Sequence, residues 1–296
     1  MHVTNPELEL RDGVLSGGLR ESVNTSAQSQ GSIHDDATAT KLGLRGGTVA
    51  GSIHMDLFTP HGLELFGQRW FEDGALSLKF LNATTDREPV QAHVRVPAEG
   101  AEGRQLEAWV LRDDGMQVAA GTMCAGEVAD LTALHAVELV RFAPGELRIL
   151  ANLYEGFLIP EREAVHTTEA HERRLEVITE PHPWFQHDSP WGKRVVTPAG
   201  MVQLLYQQPA AALRQTLQND SVGLFGAIEV RMKAGPAFVD EPYTVDGQVV
   251  AIGDSPKTEF FWYDTSLKDQ NQREIATMRM QLRFMKASSA LYAEET

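Results

Sequence analysis

The stretch SIHDDATATKLGLRGGTVAGSIHMDLF, Ser32 to Phe58, sets an imidazole against two carboxylates, passes a Gly-rich corner and opens an apolar run. His34 beside Asp35 and Asp36 offers the groups for proton transfer: an imidazole exchanges a proton near neutral pH and a carboxylate orients or assists it. Arg45 is a candidate for holding a phosphate or carboxylate of a ligand. Gly46, Gly47, Thr48 and Val49 lead into a predicted helix, whose first amides can receive an anionic oxygen while the glycines admit a ligand close to the backbone. A second His-Asp step, His187-Asp188, lies in QHDSP.

Structural uses compete for the same residues. Asp35 or Asp36 is a natural N-cap, His34 can hydrogen-bond the turn that follows, and Arg45 can be a surface cation. His54 and Asp56 stand two apart on the predicted helix, so they face different ways, one toward solvent or a polar contact. His182 and His187 lack a third clustered ligand, and no metal site is expected. The single cysteine, Cys124, reads as a small buried apolar residue. No Gly-x-Ser-x-Gly elbow, phosphate loop or dinucleotide fingerprint occurs.

The elements that must position these groups come twice. His34-Asp35 has its second copy at His187-Asp188, Glu88-Pro89 at Glu241-Pro242, and Gly47 at Gly200, each 153 residues on; Glu107 and Glu259 open similar apolar segments 152 apart. Landmarks in one order at one spacing predict a duplicated chain. Each copy reads as a corner, a helix (about 48–58, extended or restarted after Pro60, and about 197–217) and then four strands. In VQAHVRV, alternation puts Val90, Ala92, Val94 and Val96 on one face and Gln91, His93 and Arg95 on a wet face. RDDG, Arg112 to Gly115, supplies a tight hairpin. The Phe260 to Tyr263 run reads as core strand, with alternate rings available to line a pocket.

Composition narrows the function. A net charge of −15 over 296 residues repels phosphate backbones, so nucleic acid is not an expected partner. The lone cysteine excludes an intrachain disulfide, and no basic flank with an apolar core opens the chain, nor does any apolar run reach about 20 residues. The expectation is a cytoplasmic protein with no membrane partner.

The order of corner, helix and antiparallel strands resembles the hotdog fold, present twice, and is similar to the MaoC-like (R)-specific enoyl-CoA hydratases and dehydratases. The resemblance covers roughly Val23 to Val128 and Leu175 to Lys286. It implies an α+β double hotdog, with 1–128 as the N-terminal unit, 129–174 as a bridge whose apolar patches predict packed structure, and 175–296 as the C-terminal unit. In that family the corner has the form Asp-x-Asn-Pro-x-His, and the Asp and His activate a water that adds across an α,β-unsaturated thioester while helix amides polarise the carbonyl.

His34 matches the family histidine, and Gly43 to Ser52 matches the turn into the helix. Ser29 stands where the family has Asp, and Gly31 and Ser32 replace Asn-Pro; in the second copy, aligned on His187, the Asp position holds His182. The resemblance therefore implies a hydro-lyase acting on an enoyl or β-hydroxyacyl thioester, with His34 as acid/base, Asp35 or Asp36 as helper, and Arg45 to Val49 binding substrate. The His187-Asp188 corner is then a parallel site or a degenerate copy. No cofactor beyond the acyl carrier is expected. The alternatives are a hotdog thioesterase, a non-catalytic binder of hydrophobic ligands, and a lyase or isomerase of a free polyketide-like or aromatic molecule. A monomer and a homodimer are both open, because two fused units satisfy the pairing that single ones reach by dimerising.

Overall fold

The computed structural model describes residues 4–143, 145–218 and 221–293; residues 1–3 and 294–296, the outer ends of the two expected units, lie outside them. The first half opens with a hairpin of β1 (Glu9–Arg11) and β2 (Val14–Ser16). Asp12 and Gly13 both take positive φ at its turn, the geometry a two-residue hairpin favours. Next come β3 (Arg20–Glu21), the six-residue α1 (Asp36–Lys41), a 3-10 helix (Gly51–Phe58) that runs directly into α2 (Thr59–Phe66), and α3 (Arg69–Asp73). Pro60 stands in the first turn of α2, where its missing N–H costs no helical bond. Four strands complete the half: β4 (Gly74–Phe80), β5 (Pro89–Arg95), β6 (Leu106–Arg112) and β7 (Gln117–Ala125).

The second half repeats the plan with β8 (Leu158–Val165), α4 (Thr168–Leu175), α5 (Pro183–Gln186), the 17-residue α6 (Pro198–Arg214), and β9 (Gly223–Met232), β10 (Pro242–Asp254), β11 (Thr258–Lys268) and β12 (Glu274–Met285). All twelve strands form one antiparallel sheet in the order β1-β2-β5-β6-β7-β4-β9-β12-β11-β10-β8, with β3 also on β5. The halves join where β4 pairs with β9, from Ala75 opposite Arg231 to Lys79 opposite Ala227. This is the expected α+β double hotdog: a curled sheet buries the 3-10 helix with α2 in one half and α6 in the other, over a common apolar core.

Val90, Ala92, Val94 and Val96 are buried as the alternation predicts. His93 is not on a wet face; it stacks on Trp109 with ring centroids 5.4 Å apart and bonds Ser16 through Nδ1. Segment 129–174 is more than a bridge, since it supplies β8, which pairs with β10, and α4. Its apolar patches pack. Leu134 covers Phe260 and Trp262 on the outer face of the sheet, while Ile149, Leu150 and Leu153 enter the core that also holds Phe261 and Tyr263. The buried Glu259 carboxylate accepts the amides of Arg148, Ile149 and Leu150 at 2.9–3.1 Å, which ties this segment to β11. No helix among the described residues is long and apolar enough to cross a membrane.

Candidate functional site

At the N-terminal corner, His34 is half-buried and its Nδ1 lies 2.7 Å from the carbonyl oxygen of Thr48. A carbonyl only accepts, so Nδ1 carries a proton, and in the singly protonated form of the ring the lone pair falls at Nε2. The loop is held from both sides: Asn24 Nδ2 donates to the His34 carbonyl at 2.8 Å, and the amide of Thr48 donates to Ile33. Neither neighbouring carboxylate bonds the imidazole. Asp35 is the N-cap of α1, accepting from Ala37 N, Thr38 N and the Thr38 hydroxyl, and these bonds hold its carboxyl below the usual range. Asp36 Oδ1 accepts the Gly47 amide at 2.6 Å, which pins the turn against α1.

That bond and two others change the expected set of amide donors. Gly47 donates to Asp36, Thr48 to Ile33 and Val49 to Thr84, so all three are engaged within the protein. The absence of a Cβ at Gly47 serves the fold, because one would collide with the His34 carbonyl. Gly46 keeps an amide with no protein acceptor, as does Ala50, and further on so do Gly51 and Ser52 in the first turn of the 3-10 helix. Gly51 is required there, since a Cβ would approach the Phe80 ring to 2.8 Å. Arg45 is committed elsewhere: it makes a two-pronged pair with Glu88, both contacts 2.7 Å, and a bond to the Ala83 carbonyl at 3.0 Å.

The C-terminal corner has the same backbone scaffold. Val49 N donates to Thr84 O and Val196 N to Ala237 O; Thr48 N donates to Ile33 O and Val195 N to Trp184 O. Thr48 bridges Thr85 as Val195 bridges Phe238. Asn24 holds the carbonyl of His34 as His171 Nε2 holds that of Phe185, at 2.8 Å in both halves. The counterpart of His34 is therefore Phe185, and the counterpart of Gly51 is Pro198.

His187 and Asp188 lie beyond this position with exposed side chains, and Gly200 is not the partner of Gly47. The loop from this corner to α6 is four residues shorter than its N-terminal equivalent and has no copy of α1. Aligned on Phe185, the segment EPHPWF puts Glu180 at the acid position of Asp-x-Asn-Pro-x-His, His182 at the Asn and Pro183 at the Pro.

Glu180, which the sequence reading missed, is a buried carboxyl paired with Arg20 at 2.7 Å and raised to about 7, chiefly by burial. The signal for it was the proline of HPWF rather than the His-Asp step. Phe185 is fully buried, edge-on to Phe71 at 6.0 Å, in an aromatic cluster with His182, Trp184 and Trp191.

His54 and Asp56 are both buried, so neither meets solvent. His54 Nε2 contacts the Thr84 hydroxyl at 2.9 Å, and burial pushes its pKa down to about 4, which keeps the ring neutral. Asp56 reaches across the junction of the halves to Arg174 and to the start of α6. Cys124 is buried, with its thiol pKa raised by desolvation. An apolar cavity of about 40 Å³ lies between the halves, lined by Met55, Trp70 and Phe71 from one and Val196, Pro198 and Met201 from the other. Through Pro236 it adjoins a surface hollow of about 630 Å³ bordered by charges of both signs, Lys193 paired with Glu241, Arg273 paired with Asp269, and Lys233, Glu72 and Asp73. Among the described residues, no three His, Cys, Asp or Glu side chains gather to hold a metal ion.

No family model matches the chain, and no curated protein matches its sequence. Its fold does match solved structures. A MaoC domain protein from Chloroflexus aurantiacus J-10-fl aligns at TM-score 0.62 and 11% identity over 95% of this chain and 98% of its own. A conserved hypothetical double-hotdog protein from Mycobacterium tuberculosis aligns at 0.61 and 12% over 93% and 97%, and a MaoC-like dehydratase at 0.56 and 12% over 92% and 98%. The chain is a double hotdog along almost its whole length, similar in fold to MaoC-like proteins, with an imidazole at one corner and a phenylalanine at the other.

Proposed function

We propose that the N-terminal corner catalyses reversible addition of water to an α,β-unsaturated acyl thioester. The observation that carries this reading is His34, whose Nε2 is left as a base while its Nδ1 is fixed as a donor on the carbonyl of Thr48, the residue three before Gly51, where the unpaired amides of Gly51 and Ser52 begin. In the hydration direction, Nε2 takes a proton from water and the oxygen bonds to the β-carbon. The double-bond electrons move toward the thioester oxygen, where the two amides stabilise the enolate. The imidazolium then returns a proton to the α-carbon, and every atom of water is in the product. Dehydration is the same path reversed.

The Thr48 carbonyl takes the orienting part expected of a carboxylate, because it fixes the tautomer; Asp35 and Asp36 shape the loop around the ring. One fold neighbour is a MaoC-like dehydratase, which agrees with this reaction class. The test uses crotonyl-CoA and a saturated acyl-CoA as separate substrates. Loss of the enoyl absorbance with no free thiol supports the proposal. Free thiol from the saturated substrate replaces it with a thioesterase, and silence from both leaves a binding protein.

A further inference from the structure

We infer that the start of α6 is an anion slot already filled by the protein's own Asp56, so that the C-terminal half is closed to a ligand oxyanion. Asp56 sits on the 3-10 helix of the N-terminal half and is fully buried. Its Oδ1 accepts the amide of Ala199, in the first turn of a 17-residue helix, at 2.8 Å. Its Oδ2 lies 2.8 Å from Arg174 Nε and 2.6 Å from Nη2. A carboxylate between a guanidinium and a helix N-terminus has the charge complement such a slot requires.

Arg174 is itself only 7% exposed, and its Nη1 has no partner, so the positive charge has no outlet other than this slot. In the N-terminal half the amide equivalent to Ala199 is Ser52, which no protein group occupies. The scaffold thus carries two helix starts, one open and one stoppered. The second has also lost its imidazole position to Phe185. This occupancy is independent of which reaction the N-terminal corner performs.

The experiment is removal of the stopper. In Asp56→Ala, sodium formate should return the missing carboxylate, seen as a saturable rise in thermal midpoint of about 3 °C at tenfold its apparent Kd, relative to sodium chloride at equal ionic strength. The wild type should not respond, and Asp56→Ala/Arg174→Met should lose the response. If Asp56→Ala is unfolded in chloride, recovery of folded protein on refolding with formate counts for the inference, and no recovery overturns it. An equal formate response in the wild type, or none in folded Asp56→Ala, also overturns it.

Discussion

The two halves hold their corners with the same backbone bonds, from the paired amides of Val49 and Val196 to the side chains that grip the carbonyls of His34 and Phe185. They differ in what those bonds present. The first half leaves an imidazole nitrogen and two helix amides unengaged. The second puts a buried aromatic ring where the imidazole stands and a buried carboxylate on its helix start. In the second half these positions serve packing and an ionic clasp between the halves.

The comparison can be broken most forcefully at Phe185. If that ring is core, Phe185→Ala should lower stability by about 3–5 kcal/mol in urea unfolding; a near-neutral result would mean the corner is loose enough to hold ligand. On the other side, Ser52→Pro removes one open amide while keeping a first-turn residue that helices tolerate. It should cut kcat by about 100-fold with little change in unfolding midpoint. An unchanged kcat would move the oxyanion site away from the 3-10 helix.

Titration sharpens the contrast. Burial pushes His54 and His61 in the first half and His166 in the second down to about 4, against an ordinary value of 6.5. Between those values the unfolded chain binds more protons, so their contribution is complete above about pH 6.5 and lost as pH falls toward 4. Glu180, raised to about 7, acts in the opposite sense: its carboxyl is better accommodated protonated, and it weakens the fold as pH rises from about 4.5 to 7. Three groups against one predict net acid loss, and Glu180→Gln should make that loss steeper in denaturation midpoints read from pH 7 to 4. A shallower loss in the variant would contradict the burial assigned to Glu180. The smallest effect is expected at Arg45, half-exposed in its pair with Glu88: Arg45→Ala should cost less than about 1 kcal/mol and leave KM unchanged.

Much of this architecture was legible because strand starts carry strong local rules. Glu88-Pro89 and Glu241-Pro242 each follow a residue at positive φ, Arg87 and Asp240, and each proline opens a strand, so that repeat kept its spacing. The corners did not keep theirs. The second loop is shorter, and the His-Asp step at 187 coincided with the first at the same spacing as the strands, although the bonds place Phe185 there. Asp56 was illegible for another reason: its partners are 118 and 143 residues away, and helical periodicity says nothing of a partner in the other half. The engaged amides of Gly47 to Val49 were equally out of reach, since a Gly-rich turn serves a ligand or its own loop with the same residues.

The most direct test sets His34→Ala beside His187→Ala in enoyl-thioester hydration, with both variants shown to fold. The account predicts a loss of about 100-fold or more for His34→Ala and wild-type turnover for His187→Ala. Equal losses in the two variants, or an active His34→Ala, would contradict it.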